Sequence, residues 1–494
     1  MGIIQRQSIK GTVIIYGGTI IGFITSSLIF PNVLSSEEIG LIGILVAYAM
    51  IFSRFASLGF NAIGNRLFPY FRDKEKGHHG FLFMALTTSL IGFLLSYVVF
   101  VIIKPYLLES GTEKTMLLAE NIGFVVPLIF SILFFTILDT YYRLLFNAVI
   151  GTFLKEFLQR FLILVFIIAY YYTAVTFNGF LILYVSAFFI PLVIITLSLI
   201  SQRQFMIRPD MDFLNKKFVK SMVNVGIFGI LVSFSGTVIL NIDRIMLKEF
   251  LGLSGTGIYM TTFYFGVLVG IPARPLLKIS STLIAEAWKK DDRKTINEVY
   301  EKSSLNQFIV GMILFLGIWL NEDNIFRVLP AEYAAGRYVI LFIGITYLFE
   351  MLCGASTAII STSKYYKYQA YFMLLLIVLV ITSNFAFIPL WGIVGAAVAS
   401  LSSKLIVFIL RYIFLLKKFK FQPYNTKFLL VVLIGGITYA CGYFMPSFDN
   451  LILSLFLKSA VIATVFFILL LILKPSEDIH RIIMNTLSLV RKGR

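Results

Sequence analysis

Residues 177–200 read FNGFLILYVSAFFIPLVIITLSLI, a run of 24 residues without a charged side chain. About 20 such residues are enough for an α-helix to cross the hydrocarbon core of a bilayer. Similar runs recur along the whole chain, in which 59% of the 494 residues are hydrophobic, against about 45 to 50% in soluble domains. Within a single membrane segment, only a helix satisfies its own backbone. The sequence therefore predicts an all-α polytopic membrane protein.

The apolar runs predict about fourteen membrane-spanning helices. With the N-terminus placed in the cytoplasm, 28 of the 42 Lys and Arg residues fall in inside segments and 6 in outside segments. This excess follows the positive-inside rule, so both termini are expected in the cytoplasm. The predicted spans are residues 8–30, 38–60, 80–103, 120–142, 148–172, 177–200, 218–240, 255–284, 303–320, 336–360, 369–390, 392–416, 427–445 and 451–473.

The predicted spans group into two six-helix halves followed by two additional helices. An internal repeat supports the halves, because Gly40 and Gly257 lie in similar segments at an offset of 217, and Gly179 and Gly392 each open a span at an offset of 213. Parallel repeats of this kind are a common transporter plan. The predicted domains are an N-terminal half (1–200), a cytoplasmic hinge loop (201–217), a C-terminal half (218–416), two additional spans (417–474) and a cytoplasmic amphipathic tail (475–494) that begins with Ser476 as N-cap.

Basic side chains interrupt several predicted spans. A charge at the centre of a bilayer helix costs about 2.5 to 3.5 kcal/mol on insertion scales, so such side chains are not expected to face lipid. Seven bases in or beside the spans outnumber three acids, and the surplus positive charge suits an anionic cargo such as a diphosphate. The bases are Arg54, Arg143, Lys155, Arg160, Arg274, Lys278 and Lys404, and the acids are Asp139, Glu156 and Glu350. The predicted anion-binding residues are Arg160, Arg274, Lys278 and Lys404, together with Arg54, whose stem can instead snorkel to the nearby interface.

Span 8 carries the most specific local signal in the chain. It contains Pro272 and Pro275, which remove two backbone donors and predict a break in the helix. Arg274 and Lys278 follow at i,i+4 spacing and are expected on one face. Broken helices at membrane depth occur where they line a cavity. We therefore expect both bases to line a cationic central cavity.

Three acids lie within predicted spans. Asp139 and Glu156 each precede an arginine by four residues, so each is expected to form an intrahelical ion pair. Glu350 lies near the centre of span 10 and can neutralise Lys404, so a purely structural pair is an alternative to anion binding by that lysine. Asp139, Glu156 and Glu350 are the candidate sites of ion or proton coupling.

The remaining composition argues against other classes of protein. Most of the net charge of +17 lies in short connections, where it sets topology, so nucleic-acid binding is not indicated. No Walker A motif, catalytic cluster or metal-ligand spacing is present, and neither a catalytic residue nor a cofactor is predicted. His78 and His79 are expected in a solvated loop. The sequence thus predicts a transporter and not an enzyme.

Several segments resemble a known group of transporters. The opening MGIIQRQSIKGTVIIYGG, the stretch FPNVLSSEEIGLIGIL, the stretch NIDRIMLKEFLGLSGTGIYMTTFYFGVLVGIPARP and WGIVGAAVAS are similar to the multidrug/oligosaccharidyl-lipid/polysaccharide (MOP) exporter superfamily. The nearest branch is that of the Wzx-type O-antigen and polysaccharide flippases. The resemblance implies translocation of an undecaprenyl-diphosphate-linked oligosaccharide from the inner to the outer leaflet of a bacterial cytoplasmic membrane, for O-antigen or capsule export.

The charge pattern of the spans favours one of four possible functions. A flippase, moving its cargo by alternating access, is favoured by the cationic spans; its partners would be the lipid-linked oligosaccharide, the bilayer, a polysaccharide polymerase and glycosyltransferases. A MATE-like ion-coupled small-molecule exporter is the alternative, although a drug or cation exporter is expected to carry net acidic charge in its spans. A membrane enzyme would require an outside domain or a catalytic cluster. A lipid scramblase remains open from the sequence.

Overall fold

The computed structural model describes residues 3–108, 116–147, 149–210, 213–446 and 448–492, with side chains except at 3–10, 274, 278 and 486–492. The described residues form α-helices with short 3₁₀ and π segments and contain no β-strand, as the predicted fold class requires. The chain divides into two compact units, Met1–Gly257 (unit 1) and Ile258–Arg494 (unit 2). The predicted division into halves at 201–217 stays a prediction.

The described residues of unit 1 are mostly helical. Two of its helices contain π segments, Ile24–Ile29 and Phe153–Leu158. The helices are α1 (Ile3–Phe23), α2 (Phe30–Val33), α3 (Ser36–Ala56), α4 (Phe60–Phe71), α5 (Phe81–Leu108), α6 (Met116–Asn121), α7 (Val125–Leu144), α8 (Val149–Thr152), α9 (Gln159–Tyr172), α10 (Phe177–Ser201) and α11 (Lys216–Val267), the last of which continues past the unit boundary.

Unit 2 begins near a break in the helix. Between α11 and the next helix, Leu268–Gly270 is a 3₁₀ turn and Ile271 and Pro272 form a turn, which confirms the break expected from the two prolines. The helices are α12 (Ala273–Lys289), α13 (Arg293–Trp319), α14 (Glu322–Val328), α15 (Arg337–Leu352), α16 (Ser356–Thr362), α17 (Lys367–Phe419), α18 (Thr426–Tyr443), α19 (Leu451–Leu473) and α20 (Glu477–Lys492).

In the part of the chain that the structure describes, each predicted span lies largely on helical segments, although 255–284 and 336–360 are each interrupted by a turn. Among the described residues, eleven helical segments are long and apolar enough to cross a membrane. Two of these are of double length, because α11 and α17 each bend at a glycine, Gly252 (φ 74°) and Gly392 (φ 58°). Glycine adopts such positive φ values without the steric cost that other residues meet. The number of crossings stays a prediction.

The glycines of the predicted repeat contact each other's segments within unit 1. A Cβ atom at Gly40 would lie 2.0 Å from the carbonyl oxygen of Leu253, and one at Gly257 would lie 1.9 Å from the carbonyl oxygen of Ser36. The two contacts are reciprocal at the repeat offset of 217. Beside them, the hydroxyls of Ser36 and Ser254 are 2.9 Å apart. Only glycine lets the two backbones approach this closely.

An aromatic core fixes α7, which carries two of the charged residues of interest. Tyr141 is 1% exposed and packs edge-on against Phe68 at 6.0 Å between ring centroids. Phe68 in turn packs against Phe81 at 4.9 Å. The Tyr141 hydroxyl donates to the carbonyl oxygen of Gln204 at 3.2 Å. Burial of large aromatic side chains holds α7 in one orientation.

The predicted hinge segment packs against the loop before α5. His79 Nδ1 lies 2.8 Å from Asp210 Oδ2, and the ring stacks on Phe213 at 4.2 Å. The hydrogen bond from His79 holds the pKa of the Asp210 carboxyl below its ordinary value. The neighbouring His78 is 4% exposed. The expectation of a solvated loop is therefore wrong for these histidines, because the segment beyond α10 covers them.

The C-terminal segment forms an amphipathic helix, as predicted. Ser476 caps it, since its hydroxyl accepts a hydrogen bond from the backbone N–H of Ile479 at 3.3 Å. The same hydroxyl donates to Asn306 Oδ1 at 2.6 Å, and Asn306 also donates to Asp478 at 3.3 Å. These bonds attach the start of α20 to α13 within unit 2.

We expect Gly40→Ala and Gly257→Ala each to destabilise the protein by about 1 to 3 kcal/mol, because the added methyl groups force two backbones apart. The measurement is the melting temperature of the purified protein in detergent. Gly436→Ala is the matched control, since a Cβ there has no neighbour within 4 Å and alanine favours the helix. Equal melting temperatures for Gly40→Ala and Gly436→Ala would contradict the close contact.

Reporter fusions test the predicted topology. Fusions after Lys74, Arg293 and Lys420 are expected to report a cytoplasmic location, because the basic connections stay inside. A fusion after Asp449, between α18 and α19, is expected to report the opposite side. The measurement is the activity of reporters that function on only one side of the membrane. A reproducible inversion at any of these positions would reject the predicted arrangement.

Candidate anion-binding sites

Charged residues of unit 1 gather where α3, α7 and the α8–α9 segment come together. The π segment Phe153–Leu158 joins α8 to α9 and contains Lys155 and Glu156. A π segment has a wider turn than an α-helix, so Lys155 and Glu156 point in directions that a regular α-helix would not give them. A Cβ at Gly18 of α1 would lie 1.7 Å from the carbonyl oxygen of Glu156. Glycine at position 18 thus allows α1 to pack directly on the π segment.

Arg160 and Glu156 form the predicted intrahelical ion pair. Arg160 Nη2 is 2.7 Å from Glu156 Oε2, and the two side chains are 30% and 26% exposed. Arg160 Nη1 also donates to Thr19 Oγ1 at 3.2 Å. A Cβ at Gly22 would lie 2.9 Å from Arg160 Cδ. Arg160 is therefore held between its own helix and α1, with part of its side chain left accessible.

Asp139 and Arg143 form the second predicted pair. Arg143 Nε lies 3.2 Å from Asp139 Oδ2, and Arg143 Nη2 donates to Thr140 Oγ1 at 3.0 Å. The Asp139 carboxylate packs on the backbone of Gly151, where a Cβ would lie 1.7 Å from its oxygen. The pair therefore connects α7 to α8.

Lys155 and Arg54 complete the cluster of unit 1. Lys155 lies within electrostatic range of Arg54, Asp139, Arg143 and Glu156. The whole cluster contains four bases and two acids, so two positive charges remain after pairing. We name it the unit 1 cluster; its members are Arg54, Asp139, Arg143, Lys155, Glu156 and Arg160.

In unit 2, the structure brings together Lys404 of α17 and Glu350 of α15. Lys404 Nζ is 3.1 Å from Glu350 Oε2, with the side chains 30% and 52% exposed. The ammonium also lies 4.6 Å from the centroid of the Tyr347 ring, a distance at which the ring face attracts a cation. The structure thus contains the Lys404–Glu350 ion pair anticipated from the sequence, and both side chains are partly exposed.

Arg274 and Lys278 lie in the first turns of α12, directly after the break in the helix. Their side chains are outside the described residues. Their assignment as anion-binding residues stays a prediction, as does the prediction that Arg160 and Lys404 face one chamber.

The sequence reasoning missed Arg411, which lies near the end of the predicted span 392–416 and was not among the predicted anion-binding residues. Arg411 lies on α17 within electrostatic range of Glu350. Its Nη1 donates to Thr357 Oγ1 at 3.3 Å. The signal was present in the spacing, because a residue seven positions after Lys404 returns to the same helix face. Unit 2 therefore has a second base near its intramembrane acid.

Both groups of residues carry more positive than negative charge. All three intramembrane acids are paired with bases, and the bases outnumber them. Partly exposed ion pairs contribute only about 0 to 1 kcal/mol, so an incoming anion can compete with them. Within the described part of the chain, no three His, Cys, Asp or Glu residues are grouped to hold a metal ion.

A family model and two curated relatives match the sequence. The model of the family described as "Polysaccharide biosynthesis protein" matches residues 6–271. The capsular polysaccharide biosynthesis protein CapF of Staphylococcus aureus is 25% identical over 183 residues, which cover 36% of this chain and 46% of that protein. The chain spans about half the length of the curated relatives it matches.

Two solved structures share the fold over most of the chain. The lipid II flippase MurJ in an inward closed conformation superposes with a TM-score of 0.76 at 14% identity, covering 94% of this chain and 98% of that one. An inward-facing MATE family multidrug resistance transporter of the MOP superfamily superposes with a TM-score of 0.60 at 14% identity, covering 83% and 95%. The chain is therefore a multi-pass membrane protein with the fold of these transporters.

Cysteine labelling tests whether the bases face water. Arg160→Cys and Lys404→Cys, in a chain with Cys353 and Cys441 replaced, are expected to react with a charged, membrane-impermeant thiol reagent, because the reactive thiolate forms in water. Ile168→Cys on α9, whose native side chain is 43% exposed on an apolar face, is the control and should stay unlabelled in intact membranes. Equal labelling of Ile168→Cys and Arg160→Cys would reject a selectively hydrated site.

Proposed function

Because the chain belongs to the family of polysaccharide biosynthesis proteins and has the fold of MOP superfamily transporters, we propose that it is a flippase. Family and fold are those of transporters and not of enzymes, and they confirm the predicted resemblance to this superfamily. The proposed cargo is an undecaprenyl-diphosphate-linked oligosaccharide, moved from the cytoplasmic to the outer leaflet.

The observation that carries this proposal is the surplus of positive charge on membrane helices. In the unit 1 cluster, two bases remain after both acids are paired. In unit 2, Lys404 and Arg411 lie near the single acid Glu350. Arginine binds phosphate with two parallel hydrogen bonds and lysine binds it as a point charge. A diphosphate supplies the negative charge that these bases lack.

The proposed transport cycle assigns separate roles to the parts of the cargo. Cationic side chains bind the diphosphate while the prenyl chain stays in lipid, where its transfer to water would be unfavourable. The conformational change is alternating access, as in other repeat-built transporters. Arg160, Lys404 and Arg54 are the proposed diphosphate ligands among residues with described side chains, and Arg274 and Lys278 are proposed beside them.

The proposed location is the bacterial cytoplasmic membrane with both termini in the cytoplasm, which the distribution of basic connections supports. The name of the Staphylococcus aureus relative supports capsule as one destination of the exported sugar. A polysaccharide polymerase and glycosyltransferases are the proposed partners, since they would consume and supply the lipid-linked oligosaccharide.

A MATE-like ion-coupled exporter of small molecules is the second candidate. The likeness to a multidrug transporter favours it, and Asp139, Glu156 and Glu350 would be its coupling sites. In this structure each of the three carboxylates lies beside a base. A site for organic cations would require acidic charge in excess of basic charge, so this chain fits an anion better.

We expect Arg160→Ala and Lys404→Ala each to slow translocation at least about tenfold, because a lost charge-assisted contact is worth about 1.5 to 3 kcal/mol. The measurement uses the purified protein in liposomes that contain a lipid-linked oligosaccharide with a fluorescent sugar. Protection of the fluorophore from an impermeant quencher reports its side of the membrane.

Arg66→Ala is the matched control, since Arg66 is an exposed base on α4 and its loss should leave the rate unchanged. Normal rates in both test variants would reject anion binding at these positions. Loss of folded Lys404→Ala with rescue by Glu350→Ala would mark that pair as structural. Efflux of an organic cation without movement of the oligosaccharide lipid would favour the exporter.

A further inference from the structure

We propose that Lys404 and Arg411 form a two-point diphosphate site in unit 2, and that Glu350 is its resident counter-anion, which the cargo displaces. The inference rests on the proposed flippase function and adds one binding residue and one step to it. Before cargo arrives, the Glu350 carboxylate occupies the position of a phosphate oxygen. When the diphosphate binds, the carboxylate turns away and the two bases hold the phosphates.

The two bases are placed on one face of one helix. Lys404 and Arg411 are seven residues apart on α17, which is about two turns, or about 10.5 Å along the axis. Glu350 of α15 faces this part of α17, because its carboxylate lies 3.1 Å from Lys404 Nζ and within electrostatic range of Arg411. The long flexible side chains of lysine and arginine can converge from this spacing on one diphosphate.

The Glu350–Lys404 pair is sufficiently exposed for another anion to replace Glu350. Glu350 is 52% exposed and Lys404 is 30% exposed at a separation of 3.1 Å. In the hydrated site that the proposal requires, a pair with this exposure contributes about 0 to 1 kcal/mol, so its opening costs little. A ligand with about two negative charges gains more from the two bases than the single carboxylate does. The local charge therefore favours replacement of Glu350 by a diphosphate.

Arg411 is held in a way that prepares it for phosphate. Its Nη1 donates to Thr357 Oγ1 at 3.3 Å, and its guanidinium carbon lies 5.8 Å from the centroid of Phe372. Its Nε is buried and has no hydrogen-bond acceptor among the described residues. A buried donor without an acceptor is costly, and a phosphate that pairs with the Nε edge would remove this cost.

Displacement of Glu350 by the cargo also explains why an acid lies among the bases of this site. Without Glu350, both bases would stay uncompensated at membrane depth whenever cargo is absent, which is unfavourable. With Glu350 present, cargo competes against an internal anion and is bound less tightly. A translocation site must release its cargo as well as bind it, so the carboxylate favours both return of the empty carrier and release of the cargo.

The test compares binding of undecaprenyl diphosphate by the full-length protein in lipid nanodiscs, followed by native mass spectrometry. Arg411→Gln is expected to weaken binding by about tenfold or more, and Arg411→Lys should lie between it and the wild type because the charge is kept and the planar fork is lost. Glu350→Gln is expected to tighten binding and to slow release. Lys417→Gln, an exposed base of the same helix, is the matched control and should bind like the wild type.

Two further comparisons separate the inference from a structural role. If Arg411 only balances Glu350, the double variant Glu350→Gln/Arg411→Gln would bind like the wild type, and this result would overturn the inference. The inference expects the double variant to stay weak. If Arg411→Gln does not fold, the test uses Arg411→Lys and Glu350→Gln instead. Wild-type affinity for undecaprenyl diphosphate in both of these variants would overturn the inference.

The probes separate the source of the diphosphate. Undecaprenol, which lacks phosphate, should bind all variants equally, and a loss of undecaprenol binding in Arg411→Gln would overturn the assignment to phosphate. Binding of inorganic pyrophosphate without binding of undecaprenyl diphosphate would overturn the assignment to a lipid cargo. A wild-type protein that translocates lipid-linked oligosaccharide while every variant binds undecaprenyl diphosphate alike would overturn this inference alone. Absence of translocation by the wild type would instead reject the proposed function.

Discussion

A charged side chain on a membrane-spanning helix requires a partner or water around it, and this requirement governs the interior of both units. Asp139 and Glu156 in unit 1 and Glu350 in unit 2 each lie within about one hydrogen-bond length of a base. Two of these pairs form within one helix, whereas Glu350–Lys404 forms only because α15 and α17 pack side by side. The bases that remain make the same regions suitable for an anion.

Glycine residues permit the close packing that these pairs require. A side chain at Gly151 would occupy the position of the Asp139 carboxylate, and one at Gly22 would contact the stem of Arg160. At Gly18, α1 lies directly against the backbone of the π segment that contains Glu156. In unit 1, glycine residues thus lie directly beside the charged residues and leave room for them. A larger residue at Gly151 or Gly22 would displace a charged side chain, and one at Gly18 would displace the backbone of the π segment.

The ion pairs are partly exposed, and that property connects the structure to transport. A deeply buried pair is costly to break because each charge would be left without compensation. A pair such as Arg160–Glu156, with side chains 30% and 26% exposed, can open at lower cost. Cargo can therefore bind to the bases and leave again, which a transporter requires. Partly exposed ion pairs combined with an excess of bases support the proposed transport of an anionic lipid.

The sequence by itself determined the helices, the break at Pro272 and the pairs Asp139–Arg143 and Glu156–Arg160. These features depend on apolar length, on the missing proline donor and on the fixed i,i+4 geometry of one helix, so no long-range information was necessary. Only the tertiary structure decided that Lys404 meets Glu350, 54 residues away, and that Lys155 lies near Arg54. Which faces of two helices meet depends on packing among many side chains, and a single sequence does not state that.

The same limit explains the residues that sequence reasoning misplaced or missed. His79 was assigned to a solvated loop because nothing local indicates that Asp210 and Phe213, more than 130 positions later, cover it. Arg411 was not predicted as a binding residue because a base near the end of an apolar run usually sets the topology. Its proximity to Glu350 became visible only when α15 and α17 were placed side by side. Local rules fix what one helix does, and the contacts between helices are decided by how all of them pack.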